Sequence, residues 1–410
     1  MSKLIPDGWN LARLDEYVEK FLVPMRDKPK NFTGSIPWVR IEDFDGKYLA
    51  KSKSFRCVDE DTVSAMKLKV YPVGTVLCSC SARLGVCTIA ARELVSNQTF
   101  IGLVPGKRIL SEYLYYRMQF HADDLQRLSS GTTIAYLPRA KFEEFEVLVP
   151  PLPEQQKIAK ILTSVDEVIE KTQAQIDKLK DLKTGMMQEL LTKGVGEDGK
   201  PHTEFKDSPV GRIPKGWEVL ELDSLVTDPI CYGIVQVGQY TEGGIPVMAI
   251  KNLGYSFSEG INLVNRDIEK KYARSRISEG DLLISVKATV GRVDVVPKGF
   301  SGNISRDIAR IRFGGKVKSE FAKYFFQSSY GLALIAETSV GTTRAELSIH
   351  AVKKMSIPVP SLKEQNILID SIRSIDNRKM SVQKKLECLR NTKKALMQDL
   401  LTGKVRVQVD

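Results

Sequence analysis

Six cysteines and only three histidines limit the chemistry open to this 410-residue chain. Cys78-Ser79-Cys80, with Cys87 close behind, suggests a thiolate pair for a metal, but a structural zinc site needs four ligands at set spacing. His121, His202 and His350 are scattered, and no nucleophile, base and orienting acid stand in a plausible triad order. Glu269-Lys270-Lys271 and Asp181-Leu182-Lys183 each place an acid two residues before a lysine, a pairing used by one class of metal-dependent nuclease. So short a pattern does not discriminate. Gly194-Val195-Gly196-Glu197-Asp198-Gly199 fits G-x-G-x-x-G, yet it follows a helical stretch and precedes Pro201, whereas a dinucleotide fingerprint follows a strand and opens a helix. It reads as a linker. The Asn-Pro-Pro-aromatic tetrad that holds a flipped adenine for methylation does not occur. No catalytic residue and no metal site is expected in this chain.

The charge points elsewhere. With 61 basic and 50 acidic side chains the formal charge is +11, a moderate excess that suits a polyanionic partner, nucleic acid first. No run approaches the roughly 18 to 20 apolar residues of a membrane span, and the start of the chain lacks the apolar core of a signal peptide. A cytoplasmic protein with no membrane partner is expected.

The elements that position any site are written twice. Ile5-Pro6-Asp7-Gly8-Trp9 returns as Ile213-Pro214-Lys215-Gly216-Trp217, and Ile36-Pro37-Trp38-Val39-Arg40-Ile41 as Ile245-Pro246-Val247-Met248-Ala249-Ile250. Gly131-Thr132-Thr133 returns as Gly341-Thr342-Thr343, Glu154-Gln155 as Glu364-Gln365, and Met187-Gln188-Glu189-Leu190-Leu191-Thr192 as Met397-Gln398-Asp399-Leu400-Leu401-Thr402. In this frame Cys78, Cys80 and Cys87 align with Ile284, Val286 and Val293, so these cysteines read as small buried hydrophobes rather than metal ligands.

Each copy opens as mixed α/β. Thr75-Val76-Leu77 and Asp281-Leu282-Leu283-Ile284 read as strands, while Ser111 and Ser319 read as N-caps of helices with acid in the first turn. Prolines around 150 and 360 close each block, and a long periodic stretch follows. Ile158, Leu162, Val165, Ile169, Thr172, Ile176, Leu179, Lys183, Met186 and Leu190 alternate four and three apart. The second copy supplies Leu368, Ile372, Ile375, Lys379, Val382, Leu386, Leu389, Lys393, Leu396 and Leu400. A 3.5-residue period is that of a coiled-coil seam. Because the intervening block must return the chain, the two helices are expected to pair antiparallel. Lys183 and Lys393 share one slot and either fix the register or snorkel outward. Ser361 with Glu364 reads as a capping box, and Gly194 and Gly403 as helix stops.

Gly131-Thr132-Thr133, then the run from Phe145 through Pro150-Pro151-Leu152-Pro153-Glu154-Gln155 into a long helix, resembles the specificity subunit of type I restriction-modification systems. The likeness covers nearly the whole chain and occurs twice, in that family's order. The second copy departs at Lys363, Asn366 and Lys379, which puts one seam layer in doubt. The resemblance implies an α/β protein in which two homologous mixed α/β target recognition domains are separated by two long helices forming an antiparallel coiled coil. Its parts are expected at 1–150 (first recognition domain), 151–193 (first helix), 194–210 (linker), 211–360 (second recognition domain), 361–402 (second helix) and 403–410 (tail).

It further implies a non-catalytic subunit that reads an asymmetric, bipartite site in double-stranded DNA. Two modification subunits and two restriction (motor-nuclease) subunits are the implied partners, and they would carry S-adenosylmethionine, ATP and magnesium. From Ile158 to Leu190 a helix runs about 48 Å at about 1.5 Å per residue, on the order of 14 base pairs, so the helices are expected to set the spacer. Basic and polar residues in the segments that differ between copies are the expected contacts. These are Lys51, Lys53, Arg56, Arg83, Thr132, Thr133 and Arg139 in the first domain, and Lys270, Lys271, Arg274, Arg276, Lys287, Arg292, Thr342, Thr343 and Arg344 in the second. Arginines suit guanine edges and lysines phosphates. A metal-dependent nuclease acting alone and a coiled-coil interaction protein without a nucleic-acid role are the competing classes.

Overall fold

A computed structural model describes residues 5–24, 28–44, 46–81, 84–129, 136–254, 257, 260–339, 341 and 346–409. The chain forms two compact units, one of residues 1–173 with 384–410 and the other of residues 174–383. Each contains a mixed α/β head and part of each of two long helices, Leu152–Lys193 and Leu362–Leu401.

In the first unit the head has a five-stranded sheet in the spatial order Val18–Leu22, Phe100–Pro105, Val76–Ser79, Cys87–Ala90, Tyr48–Leu49. It is antiparallel except for the last pair. A three-stranded sheet sets Ile36–Val39 between Cys57–Val58 and Val95–Ser96, and Asn10–Arg13 pairs with Glu146–Val149. The second head repeats the plan. Its main sheet runs Cys231–Tyr232, Ile308–Ile311, Leu282–Ser285, Val293–Val295, its smaller sheet sets Ile245–Met248 between Asn262–Val264 and Asn303–Ile304, and Glu218–Glu221 pairs with Ser356–Val359. Cys78 faces Cys87 across one hairpin just as Ile284 faces Val293 across the other, and all four are buried. The thiols fill aliphatic slots; burial pushes the Cys78 thiol above its ordinary range.

Both helices pack antiparallel within each unit. In the first, Glu154 near the start of one helix holds Arg406 just beyond the end of the other, and Asp166, three turns on, meets Lys393. In the second, Glu364 meets the backbone of Val195 and Asp376 meets Lys183. Ile158, Leu162, Ile176, Leu179, Leu368, Ile372, Ile375, Val382, Leu386 and Leu400 are buried, while Val165, Ile169, Met186, Leu190, Leu389 and Leu396 are half-buried. Met187, Leu191, Ile369 and Leu401, outside the 3.5-residue seam, are also buried because each faces a head, so near the helix ends the apolar stripe is wider than a coiled-coil seam.

The two lysines do not snorkel. Lys183 Nζ lies 2.7 Å from an Asp376 carboxylate oxygen and Lys393 Nζ 2.7 Å from Asp166. Each ammonium also lies over a tyrosine of its head, Tyr324 at 5.4 Å and Tyr116 at 5.5 Å. Lys379, the odd residue in the second seam, turns to Asp376 at 3.6 Å.

The repeated Glu-Gln dipeptide fastens head to helix. Trp9 and Trp217 donate their indole N–H to Glu154 (3.2 Å) and Glu364 (2.9 Å). Gln155 accepts from the Leu110 N–H and donates to the carbonyls of Arg108 and Pro150; Gln365 does the same with Lys318, Lys316 and Pro360. This arrangement corrects three expectations. Leu110 and Lys318, not Ser111 and Ser319, occupy the N-cap positions, with a glutamine from another helix supplying the acceptor at that backbone N–H. The capping box at Ser361 is half made: the serine accepts from the Glu364 N–H, but the Glu364 carboxylate is spent on Trp217, His202 and Val195.

Candidate nucleic-acid interface

A hairpin tip in each head organises the local surface. In the second head Leu282–Ser285 and Val293–Val295 are joined by residues 286–292, a tip that carries Lys287 and Arg292. The Ser285 hydroxyl accepts from the Arg292 N–H at 2.8 Å and donates to the Thr289 carbonyl, closing a turn in which Ala288 takes a left-handed backbone at φ 58°. Beside it the chain returns after Gly341: Leu347 N–H donates to the Val286 carbonyl, and Lys287 reaches Glu346 at 2.8 Å. The first head repeats the contact, with Leu137 N–H on the Cys80 carbonyl and Ser81 bridged to Tyr136. The flanks of both Gly-Thr-Thr segments therefore lie at hairpin tips. Arg83, Thr132, Thr133, Thr342, Thr343 and Arg344 themselves lie outside the described residues.

Tyr232, half in water, stands between two concavities of the second head. One, of about 390 Å3, is lined by Lys287, Arg306 and Glu346; the other, of about 820 Å3, by Arg274, Arg276, Arg310 and Arg312. The arginines differ in what they can still bind. Arg276 forms a two-pronged pair with Glu269, which also accepts from Asn303; these hydrogen bonds, Arg276 first, hold the buried Glu269 carboxyl below the usual carboxylate range against the opposing effect of burial. Arg312 is clamped by Asp281 and Asp228, which keep its guanidinium charged. Arg310 is buried in the sheet and donates to the carbonyls of Arg276 and Pro229. Lys270 ends the Arg266–Lys270 helix, Lys271 follows it and Arg274 lies in the short Ala273–Ser275 turn of helix, and all three are exposed. This cluster is not singled out by the sequence reading; a cation inside the apolar run Ile308-Ala309-Arg310-Ile311 is the one signal that could have found it, and Tyr232 and Arg306 carry none.

In the first head Lys51, Lys53 and Arg56 share the loop between Tyr48–Leu49 and Cys57–Val58. Arg56 packs over Phe32, its guanidinium 5.1 Å from the ring. Arg139 belongs to a different element, at the start of the Arg139–Glu143 helix, where it pairs with Glu143 at 2.6 Å. Among the described residues no group of three or more His, Cys, Asp or Glu could hold a metal ion.

Two heads on one strand plan, each tied to paired helices and each carrying a different set of arginines and lysines, define a duplicated recognition protein. The Type I restriction modification DNA specificity domain matches residues 6–181 and again 214–388, and the chain belongs to this family. Its role is DNA-sequence recognition, without catalysis of its own, within a type I restriction-modification complex. Similar proteins include the type I restriction enzyme MjaVIII specificity subunit of Methanocaldococcus jannaschii, 27% identical over 98% of this chain and 94% of the relative. The EcoBI specificity subunit of Escherichia coli is 22% identical over 82% of this chain and 72% of the relative. The solved S subunit from M. genitalium shares the fold at a TM-score of 0.57 and 14% identity, covering 98% of this chain and 97% of that one. A second solved chain, described in terms of complex assembly and conformational transition of the type I R-M system, gives 0.58 at 18% identity, covering 98% and 99%. No helix among the described residues is long and apolar enough to cross a membrane.

Proposed function

We propose that each head reads one half of an asymmetric, bipartite site in double-stranded DNA, and that the paired helices set the unread spacer and dock two modification subunits. Two restriction subunits complete the assembly in the cytoplasm, and S-adenosylmethionine, ATP and magnesium belong to those partners. The observation that carries this reading is one strand plan built twice with different cationic loops. In the first head Lys51, Lys53 and Arg56 share one loop; in the second Lys287, Arg274 and an arginine cluster surround Tyr232. A shared scaffold with unlike decoration is what two unlike half-sites require. Lys51, Lys53, Lys270, Lys271 and Lys287 suit phosphates, Arg274 and Arg292 base edges, and the Gly-Thr-Thr segments with Arg83 and Arg344 the backbone beside each tip.

Co-expression with the modification subunit, followed by long-read mapping of methylated adenines, tests the whole reading. The expected result is one motif of two dissimilar halves around a fixed gap. A single continuous or palindromic motif would overturn it. Adding one heptad to each helix, after Thr172 and at the matching position of the second, should lengthen the gap; an active complex with an unchanged gap refutes the ruler.

A further inference from the structure

Phe55 is the most exposed large apolar side chain among the described residues, 81% accessible, on the basic loop of the first head. Its backbone is left-handed at φ 54°, a conformation that bulky L-residues rarely adopt and that glycine or asparagine would take more readily. The loop is nonetheless built to hold it. Buried Asp43 accepts from the Arg40 N–H at 2.7 Å with one oxygen, and from the Lys53 N–H at 2.7 Å and the Ser52 hydroxyl at 3.2 Å with the other. Phe55 N–H closes the turn onto the Ser52 carbonyl at 3.0 Å, and the Arg56 carbonyl is tied to Trp38 N–H. A buried carboxylate and a closed turn thus hold an aromatic ring in water, against both its hydrophobicity and its backbone preference. Strain retained at a displayed side chain points to use.

Its neighbours say for what. Lys51 and Lys53 are exposed on the same loop, and Arg56 follows directly. Cations around a solvent-exposed ring match the chemistry of a polyanion whose interior is a stack of aromatic bases. We propose that Phe55 is a wedge that the first head drives against a base step of its half-site, unstacking it while Lys51 and Lys53 hold the flanking phosphates. The proposal rests on the first head's reading of DNA, and it names a specificity-determining residue that acts through the deformability of that step.

The test uses the full chain co-expressed with its modification subunit and a duplex bearing the mapped motif, with 2-aminopurine placed in turn at each position of each half. Wild-type complex should brighten the probe at one step of the first half besides the adenine that the modification subunit flips out for methylation. Phe55→Ala should abolish that signal and weaken motif binding about ten- to a hundredfold, the usual range for losing an aromatic–base contact, while binding to an unrelated duplex stays unchanged. Phe55→Trp should keep both. Phe55→Gly, which relaxes the left-handed backbone, should raise Tm while losing motif affinity. Lys53→Ala should lower motif and unrelated binding alike. Motif binding by Phe55→Ala at wild-type strength, or a wild-type complex that brightens no position in the first half other than the methylated adenine, overturns the wedge and leaves the bipartite reading standing. A wild-type complex without motif binding overturns both.

Discussion

Replacing Lys393 by Met removes the cation from a seam in which its partner cannot move to water. The Lys393 and Asp166 side chains are 19% and 16% exposed and 2.7 Å apart, and Tyr116 donates its hydroxyl to the other Asp166 oxygen at 2.7 Å. Burial pushes the Tyr116 hydroxyl far above its ordinary range, so it stays a neutral donor and cannot replace the lost charge. Breaking a fully buried pair costs about 3–5 kcal/mol; the residual exposure here discounts that to about 2–3 kcal/mol. For a unit of this size, about 2–4 °C per kcal/mol gives a fall in Tm of roughly 5–10 °C. Replacing both members, Lys393→Met with Asp166→Leu, leaves no orphan charge and should return most of the loss. Calorimetry on the four proteins of this cycle reads the coupling directly. As control, Lys193→Ala breaks an exposed pair with Glu189 and should cost under about 1 kcal/mol. A single variant no worse than that control, or a double variant as unstable as the single, refutes the claim that the seam ion pair is a committed buried contact.

Gln155→Ala and Gln365→Ala each remove a buried side chain that makes three hydrogen bonds, one of them buried and two part-buried, and should cost about 2–3 kcal/mol apiece, read by urea unfolding. The Glu269 carboxyl has its folded pKa depressed, so its stabilisation is complete above the ordinary value of 4.5 and drains as pH falls through the folded one. Acid unfolding of the second unit should therefore be steeper in wild type than in Glu269→Gln, and equal slopes would refute the assignment. Lys271→Ala and Arg274→Ala should weaken DNA binding and lower the salt slope by about one each without changing Tm. Arg276→Ala should lower Tm, because that guanidinium already serves Glu269.

How much of this was legible in the sequence varies with the distance over which the signal acts. The seam from Ile158 to Leu190 and its partner could be read because a 3.5-residue period is local to each helix. The duplication gave the strand plan and placed Cys78 and Cys87 opposite each other by analogy with Ile284 and Val293. The caps were misread for a physical reason. A serine before an acidic turn is a good local N-cap, but the acceptor at Leu110 and Lys318 comes from a glutamine 45 and 47 residues away, a competition that no local window contains. Phe55 was passed over in the same way. Its exposure and left-handed backbone depend on Asp43, whose carboxylate reaches forward ten residues to Lys53.

The fastenings shared by the two heads and their unlike surfaces are separable, and on the proposed reading that separation would let one scaffold serve two half-sites. Trp9 with Glu154, Gln155 with Leu110, and Tyr116 with Asp166 and Lys393 each have a counterpart in Trp217 with Glu364, Gln365 with Lys318, and Tyr324 with Asp376 and Lys183. All of them lie where a head meets its helices. The Asp43-braced loop and the Arg310–Arg312 cluster, by contrast, belong to one head each and touch none of these contacts. Substitutions in the second set can therefore alter the surface without loosening the first, because contacts that share no partner combine nearly additively. On the proposed reading, the chemistry of recognition would be free to diverge because the head is fastened by residues that lie outside the cationic surfaces.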